Sequence, residues 1–260
     1  MERHASIDTD IVSRCRARTR PGEYVLLPRA NRVPSALPGF EATVAQVLAT
    51  PHIGARFVQH ELVISSGGGT TNPLVSELEH FLYVLEGSVQ LTASSDTQEL
   101  ALGGYAWLPS GSQLSLRNAQ AATSRILWLR RRYQETEGIS PPDAIISREQ
   151  AVPALPEDTY LEQHLIPYED PAFDMGVNLL NFEPGVYFSF VESHVMEHGL
   201  YMLAGRGIYW LNGDYHEVQA DDFIYMAPYC PQFFYATGWE KGRYLVYKDV
   251  NRDYADELRI

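Results

Sequence analysis

Short apolar runs recur along the whole chain, and turn-forming residues break them. Examples are 81-FLYVLEG-87, 105-YAWLPSG-111, 125-RILWLRR-131, 207-GIYWLNG-213 and 222-DFIYMAP-228. Tyr, Phe, Trp, Val and Ile dominate these runs, and Gly, Pro, Asn and Asp close them. Such residues suit a pleated, half-buried surface, so the runs predict strands of an all-β sandwich or barrel. No long segment shows a 3.6-residue period, so helix is expected to be minor and confined to an N-terminal arm and the connection between units.

The runs also repeat. Aligning 80-HFLYVLEGSVQL-91 with 198-HGLYMLAGRGIYW-210 sets His80 on His198, Leu82-Tyr83 on Leu200-Tyr201 and Gly87 on Gly205, all at an offset of 118. The same offset brings Gly67 to Gly185 and Arg125 to Arg243. One shared offset across several segments indicates a duplicated unit. The organisation expected is an N-terminal arm over residues 1–50, a first β-barrel over 51–137, a polar Pro-rich linker over 138–155 and a second barrel over 156–260.

Composition narrows the function classes. The chain has 260 residues, 45% hydrophobic and 20% charged, with a formal net charge of −13. That balance fits a folded globular protein and disfavours a phosphate-backbone partner, so no nucleic acid is expected. No apolar run is long enough for a helical membrane span, and the first twenty residues lack a secretory h-region. With only Cys15 and Cys230, no disulfide framework is expected, and a cytoplasmic location fits. Arg14, Arg16, Arg18 and Arg20 are expected to form a solvated row or a subunit contact. Arginine outnumbers lysine 18 to 2, the lysines being Lys241 and Lys248.

The candidate chemistry lies in the second unit. Gly185 is followed by Glu192, His194, His198 and Gly205. On a strand, the even spacing of Glu192, His194 and His198 puts all three side chains on one face. Imidazole and carboxylate together suit Mn, Fe, Zn or Ni, and burying them without an ion is costly. At the same offset the first unit has Leu74, Ser76 and His80, with Leu114 near the counterpart of Gln232, so it is expected to hold no metal. His4, His52, His60, His164 and His216 lack ligand spacing.

These residues resemble the cupin superfamily, with the order of its motif permuted. Glu192 stands where the first motif has a His, His198 where it has a Glu, and Gln232 where the second motif has its last His. That set closely resembles the (S)-ureidoglycine aminohydrolase family, on 192-ESHVMEHGLYMLAGRGIYWLNG-213, 221-DDFIYMAPYCPQ-232 and 243-RYLVYKDVNRD-253. The resemblance implies a bicupin, two double-stranded β-helix barrels behind an arm, that hydrolyses (S)-ureidoglycine to (S)-ureidoglycolate and ammonia in purine catabolism. It implies Mn²⁺ held by Glu192, His194, His198 and Gln232, with Glu192, Tyr209, Tyr244 and Lys248 on the substrate and Glu192, Tyr244 and Lys248 active in the chemistry. A homo-oligomer is also expected. Two oxygen and two nitrogen donors suit a fairly hard six-coordinate ion with positions left for substrate or water. Lys248, kept where the first unit has Arg130, suits a site needing a compact ammonium. Direct attack of water and loss of ammonia through an imine both stay open. Two rivals remain: a metal-dependent dioxygenase, told apart by oxygen uptake, and a non-catalytic bicupin that binds a small ligand without turning it over.

Overall fold

In a computed structural model, the structure describes residues 15–253. The described chain is all-β, with three single-turn 3₁₀ segments and no α-helix. Its strands form an eleven-stranded, an eight-stranded and a three-stranded sheet.

The apolar runs are continuous because both faces of the central strands are buried. Along Ser124–Arg132, Ile126 and Trp128 join one core and Leu127 and Leu129 another. Along Gly242–Asp249, Tyr244 and Val246 face an interior core, while Leu245 and Tyr247 join the same shared core as Leu127 and Leu129. The shared core is therefore built from both repeats, as where Phe57 packs 4.5 Å from Tyr247 between ring centroids.

Strand register carries the repeat into space. Ile126 pairs with Leu62 and Tyr244 with Leu180. His80 pairs with Leu108 and Arg130, and His198 pairs with Met226 and Lys248. Leu74 pairs with Leu114, and Glu192 bridges Gln232. Each pair recurs at the offset of 118. Gly205 is one position where the backbone demands glycine: its φ is +72°, and a Cβ would meet the Lys241 carbonyl oxygen at 2.4 Å.

The sheets cross the segment boundaries that the repeat suggests. Tyr24–Leu27, ahead of the first repeat, pairs with Phe223–Met226 of the second. Ile145–Arg148, in the Pro-rich stretch, pairs with Gly104–Leu108 of the first. Phe40–Ala49 pairs along Phe57–Thr70. Each repeat thus lends its leading strand to the other's sheet. Of the arginine row, Arg16 is ion-paired to Asp222 at 2.7 Å and Arg20 to Glu23 at 3.0 Å, while Arg14 and His4 lie outside the described residues.

Candidate active site

The site forms where the irregular segment before His198 meets the start of Gln232–Thr237. Glu192 and Gln232 exchange backbone hydrogen bonds of 2.9 and 2.8 Å, which fixes the two residues opposite each other. His194 follows in loop, tied down by its carbonyl, which accepts from the Tyr229 N–H at 2.7 Å. His194 Nε2 then lies 3.2 Å from the Gln232 amide nitrogen and 3.9 Å from Glu192 Oε2. The His194 and His198 rings are 4.6 Å apart.

The single-face argument from strand parity needs correction. His198 alone of the three begins a strand; Glu192 sits in an isolated bridge, and a bend at Val195 separates His194 from His198. The side chains meet because the bridge to Gln232 and the Tyr229 contact fold the loop over the strand, not because of even spacing.

Tyr209, buried, donates its hydroxyl to Gln232 Oε1 at 2.9 Å. Its ring centroid is 6.5 Å from that of Tyr244, also buried. Lys248 faces His198 across the strand pair, with its Nζ over the Tyr168 ring at 4.7 Å. The structure thus brings all seven sequence-predicted residues into one region. Cys230, two residues from Gln232, is buried, and burial pushes its thiol up to about 11, so it is an inert core residue here.

Three neighbours escaped the sequence reading: Tyr168, Glu162 and Asn178. Asn178 donates to Glu162, and both are buried. The available signal was Asn178 itself, a polar residue inside the apolar run 175-MGVNLLNF-182. Glu162 and Tyr168 carry no spacing that ties them to the site.

Electrostatics follow from burial. Desolvation raises the Glu192 carboxyl above its ordinary range, and the Lys248 charge opposes that shift. Burial, then Lys248, lowers His194; burial, then His194 and Lys248, holds His198 well below the usual imidazole range. Both rings are therefore neutral near pH 7, the form that ligates metals. His194 Nδ1 is buried with no hydrogen-bond partner. Burial also pushes the Tyr209 and Tyr244 phenols up, so both stay protonated.

Two neutral imidazoles and a desolvated carboxylate suit a divalent cation, and the Gln232 amide, which presents Nε2 to His194 while Oε1 accepts from Tyr209, would join them by turning its oxygen inward. Among the described residues, no three His, Cys, Asp or Glu side chains stand close enough to hold an ion by themselves. An ion here would need the Gln232 amide as well, and a closing of the donors around it.

Fold and site together define a cupin-type β protein with an imidazole–carboxylate–amide cluster. No protein-family model matches the chain. It is 36% identical over 242 residues to the (S)-ureidoglycine aminohydrolase of Escherichia coli, covering 92% of each chain. It is 34% identical over 234 residues to that of Arabidopsis thaliana, covering 89% of this chain and 77% of the relative. The crystal structure of protein Ylba from E. coli superposes with a TM-score of 0.85 at 32% identity, covering 95% of this chain and 99% of that one. A variant of Bacillus subtilis oxalate decarboxylase shares the fold at 11% identity, with a TM-score of 0.70 over 97% of this chain and 86% of that one. The chain belongs to the (S)-ureidoglycine aminohydrolase family, a family of enzymes.

Proposed function

We propose that the protein is a manganese-dependent hydrolase that converts (S)-ureidoglycine to (S)-ureidoglycolate and ammonia, as a bicupin acting in purine catabolism. The observation that carries this reading is the Glu192–Gln232 bridge with His194 and His198 beside it, in a chain 36% identical to a named aminohydrolase.

Glu192, His194, His198 and Gln232 would hold Mn²⁺. A bound divalent cation supplies Lewis acidity and a fixed point of substrate orientation. The remaining work falls to the chain's own groups. The Lys248 ammonium attracts the substrate carboxylate and steadies the negative charge of Glu192. Glu192, beside the Lys248 ammonium, is suited to pass on the proton that travels to the departing amine. Tyr209 orients the Gln232 amide, and Tyr244 backs the Tyr209 ring. A cytoplasmic homo-oligomer with one active barrel per chain completes the proposal.

The test is ammonia release from freshly generated (S)-ureidoglycine, with metal-stripped protein and with Mn²⁺ restored. Manganese-dependent release above the spontaneous rate, lost in His194→Ala, is the expected result. Manganese-loaded protein that releases no ammonia, or that consumes oxygen instead, would overturn the assignment.

A further inference from the structure

The first repeat keeps a cavity at the place where the second carries its site. The cavity is about 350 Å³, and its walls include Phe40, Leu74, Ser76, His80, Trp128 and Arg130. Register makes the correspondence explicit. Leu74 sits opposite Leu114 as Glu192 sits opposite Gln232, and Arg130 pairs with His80 as Lys248 pairs with His198. Leu62 pairs with Ala45, where its counterpart Leu180 pairs with Glu162. Both carboxylates of the second site are therefore replaced by apolar residues, while its cation is retained.

The retained cation has no counter-ion. Among the described residues, no carboxylate pairs with Arg130, and its buried Nε has no acceptor. Burial lowers its affinity for the proton with no acid nearby to restore it. Its guanidinium stacks 3.9 Å over the Trp128 ring, which leaves its donors to point away from that face. A second donor is stranded beside it. The Trp128 indole N–H donates to His80 Nδ1 at 3.1 Å. Burial and the Arg130 charge hold the His80 pKa at about 4, so the ring is neutral and its one proton is on Nε2. That nitrogen is buried and has no partner.

The buried Arg130 Nε and His80 Nε2, both without a partner, leave an incomplete site at a cavity with apolar walls, while the rest of the half-buried guanidinium stays open to a ligand entering from solvent. We propose that this cavity of the first repeat binds a small organic carboxylate, its charge on Arg130 and His80 and its apolar body between Phe40, Leu74 and Trp128. An inorganic anion would satisfy the donors but leave the apolar walls empty. The volume is at the lower end of small-molecule pockets, enough for an acid about the size of benzoate. The inference does not depend on the activity assigned to the second repeat.

The test is isothermal titration of the full chain with sodium benzoate, and with the isosteric neutral benzamide. Benzoate is expected to bind saturably and benzamide at least tenfold more weakly. Arg130→Leu is expected to weaken benzoate at least tenfold. Leu74→Glu, which returns the second repeat's carboxylate and gives Arg130 an internal partner, is expected to do the same if Arg130→Leu does not fold. Lys248→Met is expected to leave benzoate binding within twofold of the unmodified protein. Equal binding of benzoate and benzamide, undiminished binding in both first-repeat variants, or loss confined to Lys248→Met would overturn the proposal.

Discussion

At the scale of single residues, the orientation of the Gln232 amide rests on Tyr209, which reaches it from the buried face of Arg206–Leu211. With Gln232 as a ligand of the proposed Mn²⁺, removing one such outer contact typically costs 10–100-fold in metal affinity or activity. Tyr209→Phe is expected to lower kcat/KM for ureidoglycine by roughly that factor with the fold intact, checked by steady-state kinetics beside bound-metal analysis. His60 is one of the buried histidines that contribute to acid stability. Burial and the Arg130 charge lower the His60 pKa from 6.5 to about 4. The folded protein therefore binds fewer protons at His60 than the unfolded chain between those values. The stability this gives is full above pH 6.5 and lost as pH falls toward 4. His60→Asn, which copies Asn178 at the equivalent pairing position, is expected to reduce the loss of unfolding free energy between pH 7 and 4.5 by about 1–3 kcal/mol, measured by urea denaturation at both pH values. Residue types at the site were legible because Glu, His, His and Gln in one repeat face Leu, Ser, His and Leu in the other. Their convergence was not: it depends on the loop bend at Val195 and on the bridge to Gln232, neither of which has a local code.

At the scale of elements, the apolar runs announced strands correctly because β-branched and aromatic side chains pack on both faces of the central ones. The offset of 118 also reads through, pair for pair, into the sheet registers. What could not be read was the partner of each leading strand. Tyr24–Leu27 is four residues long, and Phe223–Met226 lies far along the chain, so no spacing rule links them. Apolar content in a stretch otherwise full of charge and proline was the only local hint for Ile145–Arg148. The borrowed strand contributes Tyr24 and Leu26 to the core of the second repeat, both nearly inaccessible. Leu26→Ala is expected to cost about 2–5 kcal/mol, the usual range for a fully buried leucine, and to lower the melting temperature with no change in active-site residues. A melting temperature equal to that of the unmodified protein would show that the strand is dispensable to that core.

At the scale of the whole molecule, the two repeats are also joined by charge. Glu61 of the first repeat takes Arg32 at 2.5 Å and Arg125 at 2.7 Å, and Tyr201 of the second lies 2.8 Å from it. Arg125 reaches on to Asp221 at 2.7 Å. Breaking a buried group of this kind leaves charges unmatched, so Glu61→Gln is expected to destabilise the fold by about 3–5 kcal/mol, measured by denaturant unfolding. The exchange of leading strands has a consequence for the order in which the molecule is made. Tyr24–Leu27 leaves the ribosome about 200 residues before the strand that receives it, while Ile145–Arg148 arrives soon after the sheet that is waiting for it. The nascent chain can therefore close its first sheet early, but it carries an apolar segment without a mate until translation is almost finished. Stalled or truncated products should aggregate through that segment, and a chaperone that shields the first thirty residues should raise the yield of active protein.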